Sequence, residues 1–204
     1  MEIALIWMSA GNSYFDKETI EKLLNYADEK FQKIIIISPN KPAEHTFKAL
    51  GYPENKAKQK AKLNANLLKN RAEKELEKIG HRNKFSFANW ETGILTSPEY
   101  NAKYKEITTI YETNPKFKND ARNTTQNVIK DKTNKITDVE KAIDQAVLYL
   151  MEELAFVLAS PVIYNVQKVT YLYHRPWKIY ENLISGKYDG KKKENLSFRL
   201  TNLE

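Results

Sequence analysis

Four consecutive isoleucines, Ile34–Ile37, constrain this chain more than any other feature. They show no alternation of apolar and polar residues, so they predict a parallel strand covered on both faces. A second apolar run, EIALIWM, occupies residues 2 to 8, and an amphipathic helix is expected over 16 to 32 between the two. Strand, helix, strand in so short a span is a βαβ unit, which predicts an α/β fold. The first strand ends in Ser9-Ala10-Gly11-Asn12-Ser13, at the carboxyl edge where open α/β sheets bind their ligands.

The rest of the chain reads as one domain spanning residues 1–204, without internal repeats. One long helix is expected over 55 to 79, with Ala57, Ala61, Ala65, Leu68, Ala72, Leu76 and Ile79 at the spacing of a buried stripe. A third strand is expected within 83 to 90, then polar helical sequence over 97 to 130 that breaks near Asn114-Pro115. Residues 131 to 137 read as a surface loop, and Thr137-Asp138-Val139-Glu140 as a capping box opening a helix from 138 to 160. A strand ending at Tyr173-His174, a short helix, a lysine-rich loop and an edge strand at LSFRL complete the pattern.

Composition excludes several kinds of chemistry. With no cysteine there is no disulfide, no thiolate nucleophile and no cysteine-based zinc site. No HExxH, P-loop, GxGxxG or GxSxG pattern occurs, so neither a metal nor a nucleotide phosphate has a motif to bind it. No run approaches 18 apolar residues and the N-terminus lacks the flanks of a signal peptide, so a cytoplasmic protein without a membrane partner is expected. The net charge of +7 is concentrated: residues 56 to 82 hold nine Lys/Arg against three acids. A basic segment of that kind fits a polyanionic partner, although a merely solvated helix face has the same composition.

Two further places draw attention. Tyr149 and Glu153, four residues apart, share one helix face, and between Ala146 and Ala159 only Glu152 and Glu153 are charged. These two acids project roughly 100° apart on so apolar a helix, so at least one is expected to face inward and to need a cationic partner or a substrate amine. His174 stands beside Tyr173 at a strand end, whereas His45 and His81 fall in segments that read as polar loops. The 9–15 turn has an ordinary reading too: small residues reverse the chain and a serine caps the next helix.

Taken together and in order, SAGNSYF at 9 to 15, TSPEY at 96 to 100, YLMEE at 149 to 153 and YHRPW at 173 to 177 resemble the tRNA-dependent cyclodipeptide synthases. The resemblance spans nearly the whole chain, and Asn12 with Tyr173-His174 matches the family's NYH subgroup. It implies a Rossmann-like, mostly parallel sheet flanked by helices, similar to the catalytic domain of class I aminoacyl-tRNA synthetases. Their HIGH and KMSKS motifs are missing here, so the resemblance implies no ATP and no cofactor.

The same resemblance assigns roles. Ser9 is the expected nucleophile, taking an aminoacyl group from tRNA in a ping-pong route to a diketopiperazine. Glu153 is expected to bind the substrate ammonium, Tyr149 to orient it, and Tyr173 to relay protons, with Asn12 and His174 positioning the turn and second substrate. Lys56, Lys60, Arg71, Lys74 and Lys78 on the basic helix are the expected tRNA contacts, interrupted by Leu63 and Leu67. Aminoacyl-tRNAs are thus the implied partners, and enzymes that tailor the released product are further ones. Backbone N–H groups between Ser9 and Asn12 are candidates for an oxyanion hole.

Strand alternation sends Leu5, Trp7 and Ser9 to one side. The position two before the serine is commonly small in the family. Trp7 is therefore expected to narrow the first pocket, with Phe156 at its border, and to favour a small or flat polar side chain such as histidine over a bulky aliphatic one. The alternative is that Trp7 fills core volume. A non-catalytic tRNA-binding module and a small-ester serine hydrolase are the competing functions.

Overall fold

The computed structural model describes residues 1–9, 12–130, 136 and 138–201. Five strands, β1 (Glu2–Trp7), β2 (Ile34–Ile37), β3 (Phe85–Phe87), β4 (Lys168–Tyr173) and β5 (Leu196–Leu200), form one sheet in the order β3-β2-β1-β4-β5. Every pairing is parallel, including β5 at the edge. Ile34–Ile37 are all buried, as an unalternating run requires of an inner strand.

Among the described residues, seven α-helices surround the sheet: α1 (Lys17–Lys30), α2 (Asn40–Ala49), α3 (Glu54–Leu76), α4 (Pro98–Thr113), α5 (Pro115–Ile129), α6 (Val139–Ile163) and α7 (Lys178–Ile184). The expected break at Asn114 separates α4 from α5. Asn114 closes α4 and caps α5, its Oδ1 accepting the Phe117 N–H at 3.0 Å. Pro115 then occupies the first turn of α5, where no N–H is needed. Asp138 caps α6 by accepting from Lys141 N–H at 3.0 Å. Thr137, the expected first residue of a capping box, and the loop at 131–135 lie outside the described residues.

Two elements were not expected. Residues 40 to 49 form α2, so His45 is helical rather than in a polar loop. Its ring bridges α2 to α6, with Nε2 3.2 Å from Glu152 Oε1 and Nδ1 2.8 Å from Gln145 Nε2. A π-turn over Trp90–Ile94 follows β3 and delivers Trp90 to the core. By length and composition α6 would suffice to cross a membrane, yet 72% of its apolar window is buried inside the fold. It is the helix onto which α2, α4 and α5 pack.

Candidate active site

The strand order reverses between β1 and β4. From β1 the chain moves outward to β2 and β3, then returns to lay β4 and β5 on the other side. Ligands of open α/β sheets bind in the crevice at that point, beyond the carboxyl ends of the strands. Ser9 lies two residues past β1 and Tyr173 is the last residue of β4, and their hydroxyl oxygens are 3.5 Å apart. The end of β4 is clamped from β5, since the Tyr173 carbonyl accepts from the N–H (2.9 Å) and the hydroxyl (3.1 Å) of Thr201.

α6 brings Tyr149 and Glu153 into the same crevice. Tyr149 Oη accepts the Trp7 indole N–H at 2.9 Å, so its own proton is free to point onward, toward the Ser9 side chain beside it. Burial is the main reason its ionisation lies well above the ordinary tyrosine value, with the Glu153 charge adding to it. Tyr149 is therefore a proton donor at neutral pH. Burial likewise raises Tyr173, and Glu153 raises it further.

Glu153 is only 6% exposed, and its Oε1 accepts from the buried Tyr171 hydroxyl at 2.8 Å. Desolvation pushes its carboxyl up to about 8, against the lowering effects of the Tyr171 bond and the Arg175 charge. In the empty site Glu153 is thus largely neutral at pH 7, poised to ionise when a cation arrives. Its neighbour Glu152 also turns inward, to His45.

Around Ser9 the turn is held by its own groups. The Asn12 N–H donates to the Ser9 carbonyl at 3.2 Å, and Asn12 Oδ1 accepts from Tyr14 N–H at 3.0 Å. Asn12 N–H is therefore committed to the turn and is not a free oxyanion donor; Ala10 and Gly11 lie outside the described residues. His174 stacks on Tyr14 with ring centres 3.7 Å apart. Burial and the Arg175 charge lower its ionisation to about 4, so the imidazole is neutral.

These side chains open on a cavity of about 570 Å³ whose lining includes Ser9, Asn12, Tyr149, Glu153 and Tyr173. The cavity wall also takes in residues given no role above: Thr46 from α2, Thr124, Thr125 and Asn127 from α5, Lys178 beyond β4, and Arg175 and Trp177 of the YHRPW motif. Leu5, Trp7, Phe156 and His174 were expected to contact substrate, and none of them lines this cavity. Trp7 is fully buried beneath it, packed on Trp90 at 5.6 Å, Phe156 at 5.9 Å and Tyr171 at 6.5 Å between ring centres. The indole fills core volume and reaches the site through Tyr149, not as a pocket wall. Among the described residues, no three His, Asp or Glu side chains cluster as a metal site would need.

The basic stripe runs along α3, seated on α1 and α2 through its small inward residues. Its members differ in what they do. Lys56 and Lys74 are exposed, while Lys60 Nζ sits 4.8 Å above the Tyr52 ring. Lys78 pairs with Glu75 and, at 3.7 Å, with Glu21, which leaves it least able to meet an external anion. Arg71 donates to the Phe15 carbonyl at 3.1 Å. Leu63 and Leu67, 59% and 47% exposed, stand between them.

Comparison with known proteins agrees with this geometry. The curated cyclo(L-leucyl-L-leucyl) synthase of Bacillus subtilis is 23% identical over 189 residues, covering 90% of this chain and 75% of that protein. A solved cyclodipeptide synthase from Staphylococcus haemolyticus superposes with a TM-score of 0.78 at 23% identity, over 97% of this chain and 89% of that one. A cyclodipeptide synthase from Candidatus Glomeribacter gigasporarum, solved bound to Phe-tRNAPhe, superposes at 0.64 with 15% identity, over 97% and 86% of the two chains. The cyclodipeptide synthase sequence model matches residues 2–201, and the chain belongs to that family.

Proposed function

We propose that the chain joins two aminoacyl groups, each delivered by a tRNA, into a cyclic dipeptide without ATP, and that Ser9 carries the covalent intermediates. One observation carries this reading: Ser9, Tyr173, Tyr149 and Glu153 converge on a single cavity at the point where the sheet reverses its strand order.

In the first step Ser9 Oγ attacks the ester carbon of an aminoacyl-tRNA. The Oγ–C bond forms, the bond to the ribose oxygen breaks, and the serine proton reaches that oxygen through the Tyr173 hydroxyl. One ester replaces another, so the step needs no further energy source. The α-amine of the Ser9-held residue then attacks a second aminoacyl-tRNA ester, and the second ribose oxygen leaves with a proton from the amine. The new free amine attacks the serine ester, the ring closes, and Ser9 regains its proton.

Glu153 manages the amine. An ordinary α-amino group titrates at about 7.7–8.0, close to the value of about 8 at which burial holds Glu153. Sharing one proton between the two therefore costs little, and the pair can bind as carboxylate and ammonium or release a neutral nucleophile. Tyr149, whose proton is left free by the Trp7 bond, directs that amine. The tRNA-bound relative supports tRNA as the carrier, and the charge of the α3 stripe makes that face the place for its phosphates. Such a substrate pool places the reaction in the cytoplasm. Incubation with a mixed pool of charged tRNAs tests the whole reading: the purified protein is expected to give diketopiperazine masses. tRNA binding without any such product would instead favour a non-catalytic module.

A further inference from the structure

Arg71 belongs to the basic stripe of α3, yet it does not only face solvent. Its Nη1 donates to the carbonyl of Phe15 at 3.1 Å, and its charge helps hold the neighbouring Asp16 carboxyl low, behind the larger effect of the Thr19 bonds. Phe15 is 1% exposed and ends the turn that begins at Ser9. Its ring meets the edge of His174 at 5.7 Å between centres, and His174 stacks in turn on Tyr14 at 3.7 Å. His174 follows Tyr173, whose hydroxyl faces Ser9. A continuous line of contacts therefore joins a guanidinium on the proposed tRNA face to the nucleophile.

We propose that Arg71 is a positioning residue for Ser9, in addition to any phosphate it meets. A charge-assisted bond to a backbone carbonyl is stronger than a neutral one and fixes direction. Among the described residues, the turn's other backbone bonds are internal: Asn12 N–H to Ser9 O, Tyr14 N–H to Asn12 Oδ1, Phe15 N–H to Asn12 O and Asp16 N–H to Tyr14 O. Those bonds set the shape of the turn, whereas Arg71 ties the turn to α3. A guanidinium has five donors, so one can hold Phe15 while others take a phosphate oxygen. Docked tRNA would then touch the same group that steadies the nucleophile. None of the lysines of the stripe makes such a contact with the turn among the described residues.

This role rests on the serine-nucleophile reading, and the test separates the two. The probe is glycine cyanomethyl ester, which carries neither tRNA nor side chain, with the Ser9 adduct followed by intact-protein mass. Arg71→Ala is expected to lower the acylation rate at saturating ester at least about tenfold, with the half-saturating concentration within about twofold. Arg71→Lys, which keeps a charged donor, is expected to recover most of that rate. The His174 ring signals are expected to shift in Arg71→Ala, because the stack beneath them loosens. An unchanged acylation rate in Arg71→Ala overturns the proposal, whatever happens to tRNA affinity. If the alanine variant melts early, Arg71→Met, which keeps the stem, is read against the same two outcomes. A wild type that forms no adduct on Ser9 overturns the nucleophile reading, and this role falls with it.

Discussion

In the seam cavity beyond the carboxyl ends of β1 and β4 charge is sparse and its acid is buried; along the outer face of α3 charge is plentiful and wet. Glu153 is the buried acid of the seam, and its ionisation is set by what surrounds it. The lysines of α3 act by number. The first region gains precision from low dielectric and fixed partners, where one misplaced proton is costly. The second gains affinity from many weak, screened contacts, none of which is individually decisive. Substitutions in the two should therefore fail in different ways, and the sharpest tests exploit that.

The largest effect is expected at Ser9. Ser9→Ala removes the nucleophile and should cut product formation by at least about a thousandfold, with no covalent adduct and an unchanged melting temperature. Product at near wild-type rate would end the contrast, because the seam would then lack its central atom.

Glu153→Gln comes next, with turnover down at least about tenfold, or about 1.4 kcal/mol. The same variant has a stability signature. The folded carboxyl holds its proton to about pH 8, whereas the ordinary value is 4.5. Between those values the folded state binds more protons than the unfolded one, so wild-type stability falls as pH rises through the window. Glu153→Gln lacks that loss and should melt above the wild type at pH 8.5 to about 9, but alongside it near pH 4. Parallel melting curves at both ends would mean the acid is solvated after all.

Paired alanines at Lys60 and Lys74 test the wet region. They should weaken tRNA binding and reduce the slope of log affinity against log salt by about 2, one for each lost phosphate contact. An unaltered slope would move the tRNA to another face. Arg71 is best kept out of that set, since its bond to Phe15 joins the two regions.

The smallest effect is expected from Trp7→Phe. An aromatic ring smaller than the indole stays in the core while the N–H that Tyr149 accepts is lost, so turnover should fall about fivefold, the worth of one hydrogen bond near 1 kcal/mol. Product identity should stay the same, because Trp7 lies beneath the cavity and not in its wall. A shift toward bulkier products would restore the pocket role expected from strand alternation.

Much of the fold was legible because local pattern dictated it. Ile34–Ile37 could only be an inner parallel strand, the alanine stripe of α3 had one buried side, and α6 from Ala146 to Ala159 was too apolar to leave both Glu152 and Glu153 in water. α2 escaped notice because its ten residues bury only Pro42, Ala43, Glu44 and Ala49, too weak a periodicity to distinguish from a loop. The site was legible where motif residues sit at strand ends, as with Ser9 and Tyr173. It was illegible where function depends on long-range pairing. Tyr171 donating to Glu153, Arg71 reaching Phe15 and Thr125 at the cavity wall follow from how the helices dock, and no local spacing encodes that. Trp7 shows the limit most plainly: alternation predicted its side of the sheet, but the ring cluster around it decided that it would be core.

The pairing of β1 with β4 sets Glu2 opposite Lys168 and Ile6 opposite Leu172. During synthesis the strand that precedes Ser9 waits for a neighbour made more than 160 residues later. Contacts so distant in sequence form slowly and late. During that interval one edge of a strand that is apolar from Ile3 to Trp7 stands open, which makes the nascent chain dependent on protection from association. On the proposed mechanism the delay has a benefit: a partial chain has no Tyr173 beside Ser9, so it would not consume aminoacyl-tRNA before it could turn it into product.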